Sequence, residues 1–382
     1  MLEPAVAGRI ERRRDTIAWT LERGDIFAWW AASRTIVLSG GLALHWLHRP
    51  RGYFGRHIFS HALGPLESWD GIWYRHVAEH GYLLVPGHQS DPAFFPFYPL
   101  LLKFVKAVGI STGAGGVLLS NLLFLGALLA FDAFGRAVVT PTLARRGTLL
   151  LAVFPTSYVC SMVYPESLVL LAFAFAGVFA VRERWLLCAA AAAAAALARP
   201  EGILLVFPIA AYVVPRLRRL ETNERGRAVA AILAAPAAAI SFPLYLGWAL
   251  HDPLAWSKAQ HAWGRSFRLD GIFLAVRRIG DEVAREGWAV RDIAFCVVTL
   301  MLLAAALRIG APRGWIVLGA LIVLLPLGSG SFTSDARFGL LALPAYWGLA
   351  SLCHGRLRFA LAAGSSAVLL AAATVSLPLV FP

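Results

Sequence analysis

The sequence predicts an all-α polytopic membrane protein, on three observations. Of 382 residues, 59% are hydrophobic and only 15% are charged, against about 45–50% and about 25% in soluble domains. The apolar residues lie in blocks of about 20, the length that crosses a hydrocarbon core. The Arg residues collect in alternate connections between those blocks, as short cytoplasmic loops require. This composition sets aside the soluble and nucleic-acid-binding classes. The net charge of +13 reflects basic cytoplasmic loops rather than a nucleic-acid partner. Nearly all the base is Arg, with Lys only at 103, 106 and 258, and Ala is abundant. That bias points to a GC-rich bacterial genome.

Residues 1–25 (with GRIERRRDTIAW) are charged, and no short apolar core with a cleavage site follows. They read as a cytoplasmic segment rather than a removable signal. Eleven spans follow, at about 26–47, 114–134, 148–163, 166–181, 185–198, 201–215, 228–250, 292–308, 314–328, 338–352 and 359–380. The tail carries Arg9, Arg12, Arg13, Arg14 and Arg23. Alternate loops carry Arg136, Arg145 and Arg146, then Arg182 and Arg184, then five Arg between 216 and 227, then Arg308 and Arg313, then Arg356 and Arg358. The short connections between them hold one Arg or none. The N-terminus is therefore expected inside, the C-terminus outside, and the protein in the plasma membrane. Segment 94–110 (FFPFYPLLLKFVKAVGI) would break this alternation as a span. Pro96 and Pro99 interrupt its start, and Lys103 and Lys106 share one face, so it reads as an external amphipathic helix at the interface.

Two long external connections remain, 48–113 and 251–291, in one membrane domain spanning 1–382. Glu166, Arg199, Glu201, Asp335 and Arg337 fall on the same face. A site at the outer membrane–water boundary follows. Cys160, Cys188, Cys296 and Cys353 are scattered through apolar segments and read as small buried hydrophobes.

The densest polar stretch is SWDGIWYRHVAEHGYLLVPGHQSDPAFFPFYPLL, Ser68 to Leu101. As a helix from Ser68 to His80, it places Trp69, Trp73, His76 and His80 on one face, with Asp70 and Tyr74 beside it and Gly81 as its stop. An aromatic belt explains the rings. It does not explain an acid between Trp69 and Gly71 at the membrane, which is a candidate general base. His76 to His80 matches H-x-x-E-H, with Glu166 a conceivable third zinc ligand. A five-residue match without a peptidase context carries little weight, and no metal site is assigned. Arg34 lies mid-span without a neighbouring acid and is expected to face the bundle interior. Asp132 and Arg136 read as an ordinary i,i+4 pair. YPE (164–166) and RPEG (199–202) mark external helix breaks. AWSKAQHAWGRSF (255–267) brings Lys258, Gln260, Trp263 and Arg265 together, a set suited to a phosphate beside a sugar or to lipid headgroups.

The pattern W-D-x-x-x-Y-x-x-V-A-x-x-G-Y (Trp69, Asp70, Tyr74, Val77, Ala78, Gly81, Tyr82), followed by AFFPFYP (93–99), resembles the GPI mannosyltransferase II (PIG-V type) family, part of the GT-C superfamily. FPTS with YPES, ARPEG and the Arg337 region resemble further landmarks of that family in order. The eukaryotic members tend to have a Ser-Asn pair where this chain has Pro200-Glu201, which leaves the acceptor open. The resemblance implies a GT-C-type bundle that moves mannose, with inversion, from a polyprenyl-phosphate donor to a hydroxyl of a glycan, glycolipid or protein. Asp70 would be the base. Trp69, Tyr74, Glu166, Arg199, Glu201, Lys258, Gln260, Trp263, Arg265 and Arg337 would bind substrate, with Lys258, Arg199, Arg265 and Arg337 near the leaving phosphate. The implied partners are membrane lipids, the lipid-linked sugar donor and the acceptor. Divalent-metal dependence is left open. A transporter or lipid flippase is the alternative, and it would favour charge along the spans and an internal repeat.

Overall fold

A computed structural model describes residues 4–47 and 61–377 of the chain, with side chains described from Arg23 on the first helix. Residues 48–60 of the predicted external loop 48–113 and the last residues of the predicted final span, 378–380, lie outside the described residues. Among the described residues the protein is built of α-helices and 3-10 turns, with no strand.

Helix α1 (Pro4–Leu47) carries the predicted first span as its second half. Helix α2 (Asp70–His80) ends where glycine was expected to end it: Gly81 has φ 84°, and its N–H bonds Val77 O at 2.9 Å. Helix α3 (Phe97–Ala107) is the expected amphipathic helix, starting after Pro96. Helix α4 (Thr112–Val138) is capped by the Ser111 hydroxyl, which accepts the Ala114 N–H at 3.3 Å. Helix α5 (Pro141–Ala152) is capped by Thr140, with proline at its first position.

The chain then departs from the sequence reading. The predicted span 148–163 is not one helix. It is the end of α5 followed by a 3-10 turn, Pro155–Ser161, and that turn meets α6 (Glu166–Val181) at a bend of 103°. Pro155 and Pro165 supply the breaks, since neither has an N–H to continue a helix. Helix α7 (Trp185–Ala198) runs into a 3-10 turn, Pro200–Leu205, and then α8 (Val206–Val213). Next come α9 (Thr222–Leu250), α10 (Ala255–Ala262), α11 (Gly271–Arg277), α12 (Ile279–Arg285) and α13 (Ala289–Arg308). Helix α14 (Arg313–Leu324) leads to a 3-10 turn, Pro326–Ser329. The chain closes with α15 (Asp335–Gly339), α16 (Pro344–Leu352) and α17 (Gly355–Val375).

Four of these helices, α4, α9, α13 and α17, are long and apolar enough to cross a membrane, or five segments if the bent pair around residue 163 counts as one. The predicted first span lies whole within α1, and the other remaining predicted spans are shorter or broken. Those at 201–215, 314–328 and 338–352 are each divided by a 3-10 turn or by Pro344. The core forms where α4 packs on α6, α6 on α7 and α7 on α9. The Ala run of α7 lets its neighbours approach closely, which is how helices associate without a hydrophobic drive.

Candidate active site

The broken helices matter because their polar ends converge. A cavity of about 360 Å³ is lined by Asp70, Tyr74, Arg199, Glu201, Gln260, Trp263, Arg265 and Arg337, together with aromatic and aliphatic side chains. That size falls in the usual range of small-molecule pockets, about 300–1,000 Å³. Eight of the eleven expected site residues meet there, drawn from connections far apart in the chain.

Asp70 opens α2 and is 8% exposed. Its backbone is pinned on both sides. Trp69 before it has φ 55°, a left-handed conformation unusual for a bulky residue. The Trp69 indole N–H donates to Leu377 O at 3.1 Å. The Asp70 N–H donates to the Tyr164 hydroxyl at 3.1 Å. Its carboxylate Oδ2 accepts from Arg337 Nη1 at 2.6 Å. Trp69 thus acts from behind Asp70 and is not among the cavity-lining residues.

Glu166, fully buried, sits behind the cavity as the hub of the charges. Its Oε1 accepts from Arg199 Nη1 at 2.6 Å and lies 3.4 Å from Arg337 Nε, an ion pair without hydrogen-bond alignment. Arg199 also grips Glu201 with two parallel bonds of 3.0 Å, the fork geometry that makes Arg–carboxylate pairs specific. The sequence RPEG builds this locally. Arg199 is extended and Pro200 starts the 3-10 turn. Gly202 packs against the backbone of Ala195, where an added Cβ would lie 2.2 Å from the carbonyl carbon.

Arg265 differs from the other two arginines. It donates to Ser334 Oγ at 3.3 Å and faces the Phe338 ring at 5.4 Å. Among the described residues it has no carboxylate ion pair. Burial lowers its pKa to about 10, with Arg337 adding to the shift, so it stays cationic at neutral pH. An anion is the ligand such a group lacks. The lining rings Phe94 and Trp263 meet edge-on at 5.7 Å, and Trp73, outside the lining, stacks on Phe94 at 5.8 Å and stands edge-on to Trp263 at 5.6 Å. Gln260 is fixed by donating to Ala93 O at 3.0 Å.

Lys258 is not among the residues that line this cavity. Its side chain is 58% exposed and pairs with Asp252 at 2.6 Å. In the H-x-x-E-H stretch the His76 and His80 rings lie 4.7 Å apart, while Glu79 and Glu166 turn to other partners. His76 Nδ1 meets Asp91 Oδ1 at 2.9 Å, Glu79 bonds the Thr112 hydroxyl, and Glu166 belongs to the arginine cluster. Four contributors escaped the sequence reading: the Tyr164 hydroxyl, Phe338, Ser334 and Asp292. Asp292 accepts the Ser334 N–H at 2.7 Å and the Ala336 N–H at 3.4 Å, and so caps the short helix that presents Arg337. The sequence signal for Tyr164 was its place beside the Pro165 break; Asp292 gave none beyond being an acid at the top of a span.

The chain was compared with known proteins. Residues 47–214 match the family model described as Mannosyltransferase (PIG-V). That stretch contains Asp70, Tyr74, Tyr164, Glu166, Arg199 and Glu201, and stops short of Arg265 and Arg337. GPI mannosyltransferase 2 of Drosophila melanogaster is 33% identical over 66 residues, covering 16% of this chain and 14% of that protein. The match therefore spans about a seventh of that relative's length. Residues 47–214, which supply Asp70, Tyr74, Arg199 and Glu201 to the wall of the cavity, are thus similar to the mannosyltransferase (PIG-V) family.

Proposed function

We propose that the protein transfers mannose from a polyprenyl-phosphate donor to an acceptor hydroxyl. Asp70 is the general base. It takes the acceptor proton as the acceptor oxygen attacks the anomeric carbon from the side opposite the phosphate. The new C–O bond forms as the bond from carbon to phosphate oxygen breaks, and the phosphate leaves with the electron pair, inverting the centre. Arg337 orients the base, while Arg265 meets the charge growing on the phosphate. Trp263 and Phe94 offer faces for the sugar. The observation that carries this reading is a carboxylate and a cation without a carboxylate partner in the wall of one cavity. Arg199 is saturated by Glu166 and Glu201 and so shapes the site without meeting the phosphate.

The outer face of the membrane is the natural place for this cavity. All of its expected site residues come from connections that the arginine alternation assigns outside. Reporter fusions after residues 140, 220 and 355 are expected to read cytoplasmic, and fusions after 90 and 270 external. The decisive assay incubates membranes containing the protein with radiolabelled polyprenyl-phosphate mannose. Label should move to a lipid- or glycan-linked product. No transfer beyond that of membranes lacking the protein would overturn the reading.

A further inference from the structure

The proposed mechanism makes no use of Arg34, a buried charge that is not among the cavity-lining residues. It is 3% exposed, within the apolar half of α1. Among the described residues no carboxylate pairs with it. Instead its guanidinium makes five hydrogen bonds: Nη1 to Ser157 O at 2.9 Å and Ser161 Oγ at 3.0 Å, Nη2 to Ser157 Oγ at 3.0 Å and Ala152 O at 3.4 Å, and Nε to Ser33 Oγ at 3.3 Å. The guanidinium carbon also lies 4.7 Å from the Phe124 ring centroid. An arginine at mid-membrane costs about 2.5–3.5 kcal/mol on insertion scales. Hydrogen bonds to a charged group contribute about 1.5–3 kcal/mol each, so a fully bonded guanidinium is tolerated there.

Four of the five acceptors lie on residues 152–161, the interrupted stretch between α5 and α6. Irregular backbone at membrane depth must have its polar groups met by protein. Arg34 meets the carbonyls that the broken helix leaves open, and the Ser161 hydroxyl passes the hold to Asn121 Oδ1 at 2.8 Å. Immediately downstream the same stretch is tied to the site. The Val163 N–H donates to Leu66 O at 3.0 Å, the Tyr164 carbonyl accepts from Ser120 Oγ at 3.3 Å, and the Tyr164 hydroxyl holds the Asp70 N–H. Glu166 follows as the first residue of α6.

We propose that Arg34 is a positioning residue for the Asp70–Glu166 centre. It fixes the break at 152–161, and so sets the height at which Tyr164 and Glu166 meet Asp70, Arg199 and Arg337. The inference rests on the transfer reading above for its catalytic consequence, but its mechanical content can be tested separately.

Cys160 lies inside the clamped stretch, is fully buried and is a free thiol. In protein carrying Cys188→Ala, Cys296→Ala and Cys353→Ala, Cys160 should resist a membrane-permeant maleimide. Adding Arg34→Gln should speed its labelling at least about tenfold, as the opening of a locally held segment does. In the transfer assay Arg34→Gln should lower kcat about 10²-fold, the cost of a small misplacement of reacting groups. The donor KM should stay within about threefold, because Arg265 is untouched. Ser157→Ala, which removes one acceptor and keeps the charge satisfied elsewhere, should shift both readouts in the same direction by less, and serves if Arg34→Gln does not accumulate.

Unchanged Cys160 protection overturns the clamp. Faster labelling with unchanged kcat overturns the positioning role. Should the wild type transfer no mannose, the transfer reading and the catalytic role of Arg34 fail together, and the labelling rates still decide the clamp.

Discussion

Near the C-terminal end of α4, Asp132 is fully buried and held by Arg136 at 2.8 Å and Arg145 at 3.4 Å, with Arg145 reaching Asp25 at 3.0 Å. In the cavity wall, Asp70, Glu166 and Glu201 are held by Arg337 and Arg199, with Arg265 beside them. Both regions bury carboxylates against guanidinium groups, yet they differ in two ways. The first is anchored on an i,i+4 pair within α4 and joined by Arg145 of α5 and Asp25 of α1, whereas the second is assembled from connections far apart in the chain. The second lines a cavity and, among the described residues, keeps a cation without a carboxylate partner. Burial of charge is thus not itself a mark of chemistry; burial beside space, with an unanswered charge, is.

The largest expected effect separates the two clusters outright. Asp70→Asn preserves the shape of the side chain and removes its basicity, and transfer should fall by at least about 10²-fold at equal membrane abundance. Asp132→Asn should lower thermal stability, because it weakens a buried pair, while turnover per folded molecule stays within about twofold. Glu79→Gln, bonded to Thr112 outside the cavity, is the control within the same loop. Equal turnover by the Asp70 and wild-type proteins would dissolve the distinction.

A smaller effect sharpens the role of the spare cation. Arg265→Gln should raise the donor KM about tenfold or more, the scale of one lost hydrogen bond to a charged group. Lys258→Ala should change it by less than about twofold, since an exposed pair contributes little. Steady-state kinetics over a donor series checks both, and a larger effect at Lys258 would move the phosphate site to α10.

The smallest effect concerns pH. Asp335 is fully buried, and among the described residues its carboxyl meets only the weak Cys296 thiol. Burial raises its pKa to about 8, and the nearby Asp292 adds to the shift. A raised carboxyl pKa means that the folded state binds the proton more tightly than the unfolded chain. Its contribution is therefore complete below the ordinary value of 3.8 and is lost as pH rises through about 8. Asp335→Asn should flatten that decline: thermal scans between about pH 5 and about pH 8 should show the variant gaining on wild type as pH increases. Parallel curves would mean that Asp335 titrates normally.

Much of this site was legible in the sequence because local rules carried it. Gly81 ends α2, Pro165 and Pro200 break helices, and the alternation of arginines gathers Glu166, Arg199 and Arg337 with the Asp70 loop. What failed was set by tertiary partners. The apolar run 148–163 reads as a span, but α5 ends at Ala152 ahead of Pro155, and Arg34 supplies donors to the interrupted stretch. Lys258 lies close in sequence to Gln260 and Arg265, yet two residues along a helix is about 200° of rotation, so Gln260 faces the cavity and Lys258 faces away. The stacked Trp73 and Phe94 were indistinguishable from an interfacial belt until Trp263 closed against them.

The long reach of two bonds to the first loop sets an order of assembly. Asp70 accepts from Arg337, 267 residues later, and Trp69 donates to Leu377, 308 residues later. During synthesis the chain emerges N-terminus first, at roughly 5–20 residues per second. The carboxylate leaves the ribosome early and waits most of the length of translation for its guanidinium and for the carbonyl that secures its neighbour. A nascent chain arrested before α15 has its bundle under construction and no finished centre. The protein therefore completes its chemistry last, after most of its helices have already been made.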